Sequence, residues 1–250
     1  PLDQLAKSCN VDLPAAATDY TRPAMDEDAV AAAAALLAGA KAPMIFVGSG
    51  AVDCGEAVRN LAEMLQAPVI GNRTGRGILS NRHYLSLTQV AGHRLWAKAD
   101  VVLAVGSRLQ QPRMSWGTDN DLKIIHVDID PVEIRRIGGA DVEIVGDAQD
   151  IVPALVNAVA SKAPAIASRE DELNGVKADV HAMLEDKLAP QMSWIKVLRE
   201  ALDDDGIYVD ELTQVGYVSR VAMPIYHPRT FLTSGFQGTL GSGLATAIGA

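Results

Sequence analysis

Val101-Val-Leu-Ala-Val-Gly106 is apolar at every position before its glycine, with no polar residue alternating between the apolar ones. A strand written this way buries both faces, as strands inside a parallel sheet do, and cannot sit in a sheet with one face in water. Pro43-Met-Ile-Phe-Val47 reads the same way, and Pro68-Val-Ile-Gly71, Lys123 to Asp130 and Val142-Glu-Ile-Val145 supply further short strands. Helical patterns lie between them: Asp26 to Ala40, with Asp26 or Asp28 able to cap its first turn, Glu56 to Leu65, a short helix at His93 to Lys98, and Ile151 to Val159. Strands alternating with helices predict an α/β fold, an open parallel sheet with helices on both faces.

This block spans residues 26–160, behind a mixed Pro- and Ala-containing lead at residues 1–25 that reads as a linker from an upstream domain. Residues 161–191 are richer in charge and read as a connector containing a helix from Glu170 to Leu188. A second unit, residues 192–250, opens with a helix from Ser193 to Leu202 on which Met192, Trp194 and Leu198 are expected to be core. An acidic turn at Asp203 to Gly206, a strand at Ile207 to Val209 and a second at Thr230 to Thr233 follow. The apolar, small-residue ending and the Pro1 opening suggest a piece of a longer chain.

Charge and cysteine content narrow the function. A formal net charge of −9 supplies no basic footprint for nucleic acid or for an anionic membrane surface. The Ala-rich run from Ala29 to Ala40 falls short of the roughly 20 apolar residues that span a bilayer. Cys9 and Cys54 are too few for a disulfide framework or a cysteine-ligated zinc, so a reducing cytosol is expected. The histidines share no ligand spacing with Asp, Glu or Cys, and no metal site is expected within these residues. His126, inside an apolar strand, is expected to be a hydrogen-bonded core residue.

Two glycine-bearing turns admit two readings each. Gly48-Ser-Gly50, with Gly55 opening the next helix, is either a loose phosphate-binding turn or a turn that lets the helix pack back on the sheet. Arg108, after the strand ending at Val105, and Asp128 and Asp130, after the next one, could meet a phosphate and a ribose. Equally, Arg108 pairs with a carboxylate while Asp130-Pro131 caps the following turn. The segment Ser234 to Ala250 is stronger: glycines at 235, 238, 241 and 243 permit close approach of backbone to a ligand, and a small-residue helix then begins.

That segment, Gly238-Thr-Leu-Gly-Ser-Gly-Leu-Ala-Thr-Ala-Ile-Gly-Ala250, resembles the G-T-M-G-x-G-L-P-A-A-I-G-A motif of thiamine-diphosphate-dependent enzymes of the acetolactate synthase and 2-oxo acid decarboxylase type. It departs from the motif at Leu240, where Met is usual, and at Ala245-Thr246, where Pro-Ala is usual. Gly75-Arg-Gly77, Val105-Gly-Ser-Arg108, Val127-Asp-Ile-Asp-Pro131 and Val145-Gly-Asp147 are similar, in order, to markers of that family's middle domain. Val209-Asp-Glu-Leu-Thr-Gln214 is similar to the first strand of its diphosphate-side domain.

The resemblance implies a Rossmann-like middle domain followed by the first part of a second α/β domain that binds thiamine diphosphate. It implies that Gly238, Thr239 and Leu240 contact the cofactor: the Gly238 carbonyl and the Leu240 amide at the aminopyrimidine, the Leu240 side chain wedged beneath it. Thr213 and Gln214 would reach the diphosphate. The activating glutamate would lie before Pro1 and the magnesium ligands after Ala250, so no catalytic residue is expected in this stretch, which alone would bind cofactor weakly and not turn over. The implied activity is acetolactate synthase-like carboligation after decarboxylation of a 2-oxo acid, in a homodimer or homotetramer, with FAD as a further possible cofactor. Simple decarboxylation or lysis within the same family is the alternative. A non-catalytic nucleotide- or flavin-binding module is the alternative of another class, and a sirtuin-like deacylase is disfavoured because two distant cysteines cannot supply its zinc module.

Overall fold

The computed structural model describes residues 6–13, 15–16, 21–119, 121–162, 165–235 and 238–250; part of the expected N-terminal linker lies outside them. Helix α1 (Glu27–Gly39) is capped by Asp26, whose carboxylate accepts from the Ala29 amide at 3.0 Å, so of the two candidate caps it is Asp26 that serves. Its buried residues, Val30, Ala33, Ala34 and Leu37, fall at helical spacing, and the alanines let it lie close against its neighbours.

Strands β1 (Pro43–Val47), β2 (Val69–Gly71), β3 (Ser86–Leu87), β4 (Val101–Val105), β5 (Lys123–Asp128) and β6 (Val142–Val145) form one parallel sheet in the order β3-β2-β1-β4-β5-β6. Every residue of β1 and β4 is buried, as their unbroken apolar character required. Helices α2 (Gly55–Leu65) and α5 (Ala148–Ala160) pack with α1 on one face. On the other face α3 (Gln89–Trp96) and a π-helical turn at Pro112–Trp116 bring Trp96 and Trp116 onto Phe46, at ring distances of 5.8 and 5.9 Å. Chain reversal between β1 and β4 under right-handed crossovers produces the two helical layers.

β5 is shorter than its apolar run suggested. Asp128 accepts from the Asp130 amide and Asp130 from the Val132 amide, so the chain turns into the short helix α4 (Pro131–Arg135). β3, only two residues long, carries no periodic signal.

Helix α6 (Glu170–Ala201) leads to the second unit and is kinked at Leu188, whose φ/ψ of −131°/32° is not helical, two residues before Pro190. Met192 is buried and Leu198 partly so, but Trp194 is 60% exposed; the buried line instead runs through Met192 and Ile195. The expectation of a core Trp194 fails because it lies off that stripe. Strand β7 (Tyr208–Val209), helix α7 (Gln214–Ala222) and strand β8 (Phe231–Leu232) form a parallel βαβ unit, and α8 (Ser242–Gly249) follows.

Arginines from the first unit fasten the second. Buried Arg76 donates to the carbonyls of Ser219, at 2.7 Å, and Met223, and lies 4.6 Å over the Phe231 ring. Burial pushes its pKa down to about 10. Arg73 donates to the Gly235 carbonyl. Cys9 is exposed and Cys54 buried, and neither forms a disulfide. Among the described residues no helix is long and apolar enough to cross a membrane.

Candidate functional site

Parallel sheets bind ligands outside the carboxyl ends of their strands, and this chain has two such edges. The first is where the order in which strands are added to the six-stranded parallel sheet reverses, between β1 and β4. A cavity of about 240 Å³ lies there, lined by Gly48, Ser49, Arg73, Gly106, Arg108 and Asp128, among others. The glycines serve the fold: a Cβ on Gly48 would stand 2.2 Å from the Gly106 oxygen, and one on Gly50 2.7 Å from the Gly106 Cα. Arg108 pairs with Glu133 at 2.6 Å, Arg136 joins the same carboxylate at 2.5 Å, and Asp130 caps α4. Both turns thus have a structural role of the kind each pair of readings allowed.

His126 lies behind this edge and is 1% exposed. Its ring nitrogens make no bond of standard hydrogen-bond geometry among the described residues, and the backbone of Ser107 is the polar group that engages the ring, so the expected core histidine is buried with at most a weak hydrogen bond. Burial pushes its pKa below the ordinary histidine value, with nearby Asp128 opposing.

The second edge is the carboxyl end of β7 and β8. Asp210, fully buried, pairs with Arg220 Nε at 2.6 Å and accepts from the Ser234 amide at 3.3 Å; Arg220 also donates to Ser234 Oγ at 3.2 Å. These contacts lock the ends of the two strands together. Glu211 accepts from the Leu212 amide at 2.8 Å and from the Gly243 amide at 2.7 Å, which ties the first turn of α8 to β7 and holds the Glu211 pKa below the usual carboxylate range. Thr233 Oγ1, just past β8, is buried and has no partner among the described residues.

The sequence-selected residues gather at this edge. Thr213 Oγ1 accepts from the Gly216 amide at 3.0 Å and caps α7, keeping its own hydroxyl proton to donate. Gln214 opens α7, with its side-chain oxygen accepting from Gln191 at 2.8 Å. Gly238 and Gly241 hold φ of +59° and +80°, a region favoured by glycine. Between them the Thr239 carbonyl accepts from Ser242 Oγ at 2.8 Å, and the Leu240 side chain is 78% exposed. A Cβ on Gly241 would meet nothing within 4 Å. At Gly241 the loop therefore has open space around it, while Gly238 lies against Leu212, and the Leu240 side chain is held outward.

The sequence profile of the central domain of thiamine pyrophosphate (thiamine diphosphate) enzymes matches residues 30–155, just over half of the chain. The chain belongs to this family. It is 31% identical to the acetolactate synthase isozyme 1 large subunit of Escherichia coli over 95% of its length and 44% of that protein's. It is 33% identical to the acetolactate synthase large subunit of Corynebacterium glutamicum over 86% of its length and 37% of that protein's. With the probable 2-ketoarginine decarboxylase of Pseudomonas aeruginosa it shares 32% identity over its whole length and 46% of that protein's. The chain thus spans less than half of each of these relatives.

Sequence reasoning missed the pair that builds the second edge. Asp210 and Arg220 lie on different elements, and no local pattern joins them. Helix α7 was also missed, although Thr213 ahead of Val215, Val218 and Ala222 is a capped apolar spacing.

Proposed function

We propose that this chain supplies the central domain, residues 26–160, a connector at 161–191, and the opening of the cofactor-binding domain, residues 192–250, of an enzyme that decarboxylates a 2-oxo acid and joins the product to a second carbonyl compound. The observation that carries this reading is the Gly238–Gly241 loop, with positive φ at both glycines and Leu240 bare beside the β7/β8 edge. These residues fit thiamine pyrophosphate. Leu240 offers an apolar surface for a ring, Gly238 and Gly241 bring backbone to the ligand without side chains, and the unpartnered Thr233 hydroxyl and the Thr213 proton supply donors nearby.

When bound, thiamine pyrophosphate supplies a carbanion and an electron sink for the bond beside a 2-oxo group. The chain's own part is to position and to exclude water. The Asp210–Arg220–Ser234 lock fixes the strand ends, Glu211 anchors the start of α8, and Arg73 holds the glycine-rich loop through Gly235. We assign Thr213 and Gln214 to the diphosphate, accompanied by magnesium, and Gly238, Thr239 and Leu240 to the rest of the cofactor. In the β1/β4 crevice Arg108 is paired with Glu133, Arg73 is held on the Gly235 carbonyl and Asp128 takes the Asp130 amide, so the reading assigns no flavin there. A homodimer or homotetramer belongs to the proposal, with exposed Leu244 and Ile248 on α8 as apolar surface available for it.

Simple decarboxylation is the second reading, favoured by the similarity to the probable 2-ketoarginine decarboxylase over the whole chain. The test uses the full reading frame that carries this chain, with thiamine pyrophosphate, magnesium and either pyruvate or 2-ketoarginine. Acetolactate from pyruvate supports carboligation. Carbon dioxide and free aldehyde without a condensed product refute it and favour the second reading.

A further inference from the structure

A cavity of about 370 Å³, within the size range of small-molecule sites, lies between α3, α6 and the end of α7, away from both strand edges. Its walls are largely apolar, with Val180, Leu184, Val221 and Met223 among them. Lys177, on α6, is the one side chain of fixed charge among its lining residues. The ammonium donates to the backbone carbonyls of Asn81 and His83, at 3.1 Å each, and carries three N–H groups, so one remains. No carboxylate among the described residues offsets the charge: burial alone pushes the Lys177 pKa down from the ordinary lysine value.

Other polar wall groups are engaged within the fold, and exposed His181, at the cavity's rim, faces Glu185 at 3.6 Å. Asn81 donates to Ser86 Oγ and accepts from the Ile225 amide, Ser86 Oγ donates to the Leu79 carbonyl, and Thr88 accepts from the Ala91 amide. The arrangement is a partly desolvated cation facing an apolar chamber, which favours a ligand with one negative end and a hydrocarbon body.

We propose that this cavity binds a short-chain aliphatic carboxylate, its carboxylate on the Lys177 ammonium and its chain against Val180, Leu184, Val221 and Met223. Because α3 belongs to the six-stranded unit and α7 to the βαβ unit, such a ligand bridges the two. The proposal is independent of the cofactor reading and survives its failure.

The test is calorimetric titration of the full reading-frame protein with butanoate, hexanoate and octanoate, and with octan-1-ol as the uncharged comparison. Binding should tighten by roughly fourfold per added methylene until the cavity is filled. Lys177→Met should weaken octanoate by roughly tenfold or more and leave octan-1-ol unchanged. Ala178→Trp, at an exposed position on the cavity's rim, should block both ligands without touching the lysine, and reads the site even if Lys177→Met fails to fold. No octanoate binding, octan-1-ol binding as tightly as octanoate, or octanoate binding indifferent to Ala178→Trp would overturn the proposal.

Discussion

Asp210→Asn removes one charge from the lock at the β7/β8 edge while keeping its shape. The Asp210 side chain is fully buried and that of Arg220 is 23% exposed, so water screens the pair only from the arginine side. Deleting one partner of a buried pair costs about 3–5 kcal/mol, because the remaining charge stays where it is without compensation. Asn retains an oxygen for the Ser234 amide or for Arg220 but not the bidentate grip, which places the expected loss near the lower figure, about 3 kcal/mol. With a urea dependence of about 3 kcal/mol per molar, the unfolding midpoint followed by far-ultraviolet circular dichroism should fall by about 1 M. Combining Asp210→Asn with Arg220→Met should recover part of the loss, since the stranded charge goes too. A midpoint shift below about 0.3 M for Asp210→Asn, or strictly additive losses in the double variant, would refute the lock as described.

Two further outcomes follow from the first unit. Gly48→Ala places a methyl group 2.2 Å from the Gly106 oxygen, between two backbone segments fixed by β1 and β4, and should lower Tm by roughly 6–12 °C; an unchanged Tm in a thermal scan would contradict the close approach. His126 is buried with a depressed pKa, so the unfolded chain binds the extra proton first: its contribution is fully present above about pH 6.5 and is lost as pH falls from there toward the native value, at about 1.4 kcal/mol per unit. His126→Leu should therefore lose less stability than the parent between pH 7 and pH 5.5 in urea titrations, and an equal loss would remove His126 as the cause.

The sequence shows most where burial is symmetrical. β1 and β4 are central, and a run of apolar residues without alternation has no other use in a chain of this composition. β3 is invisible because two residues cannot show a period, and its place is set by pairing with β2. α7 is obscured by its own composition: Gly216, Ser219 and three valines are poor helix formers, and the helix stands on its Thr213 cap and on packing. Gly216 is there for the packing, since a Cβ would fall 1.8 Å from the Glu211 oxygen. Trp194 shows the reverse error, an apolar residue at a plausible spacing that faces outward because the kink at Leu188 resets which face of α6 meets the fold.

At the candidate site, the glycine spacing from 235 to 243 marks the loop, because positive φ leaves a compositional trace. The groups that aim the loop leave none. Arg73 reaches Gly235 across 162 positions, and Asp210 meets Arg220 and Ser234 only after β7, α7 and β8 have folded together. For Arg108, Asp128 and Asp130 the sequence left ligand contact and structural pairing equally open, and the contacts formed are those of the structural alternative, Arg108 with Glu133 and Asp130 capping a helix.

The central claim is that the Gly238–Gly241 loop holds thiamine pyrophosphate, with Leu240 presented to it. The most direct measurement is calorimetric titration of thiamine pyrophosphate in the presence of magnesium into the full reading-frame protein and its Leu240→Ala variant. Leu240 is 78% exposed, so the substitution should leave the unfolding midpoint within about 0.5 kcal/mol of the parent while weakening the cofactor by roughly tenfold, the loss of one buried leucine contact. Magnesium-dependent binding by the parent and its weakening in the variant are the predicted result. No binding by the parent, or equal binding by both proteins, would contradict the account.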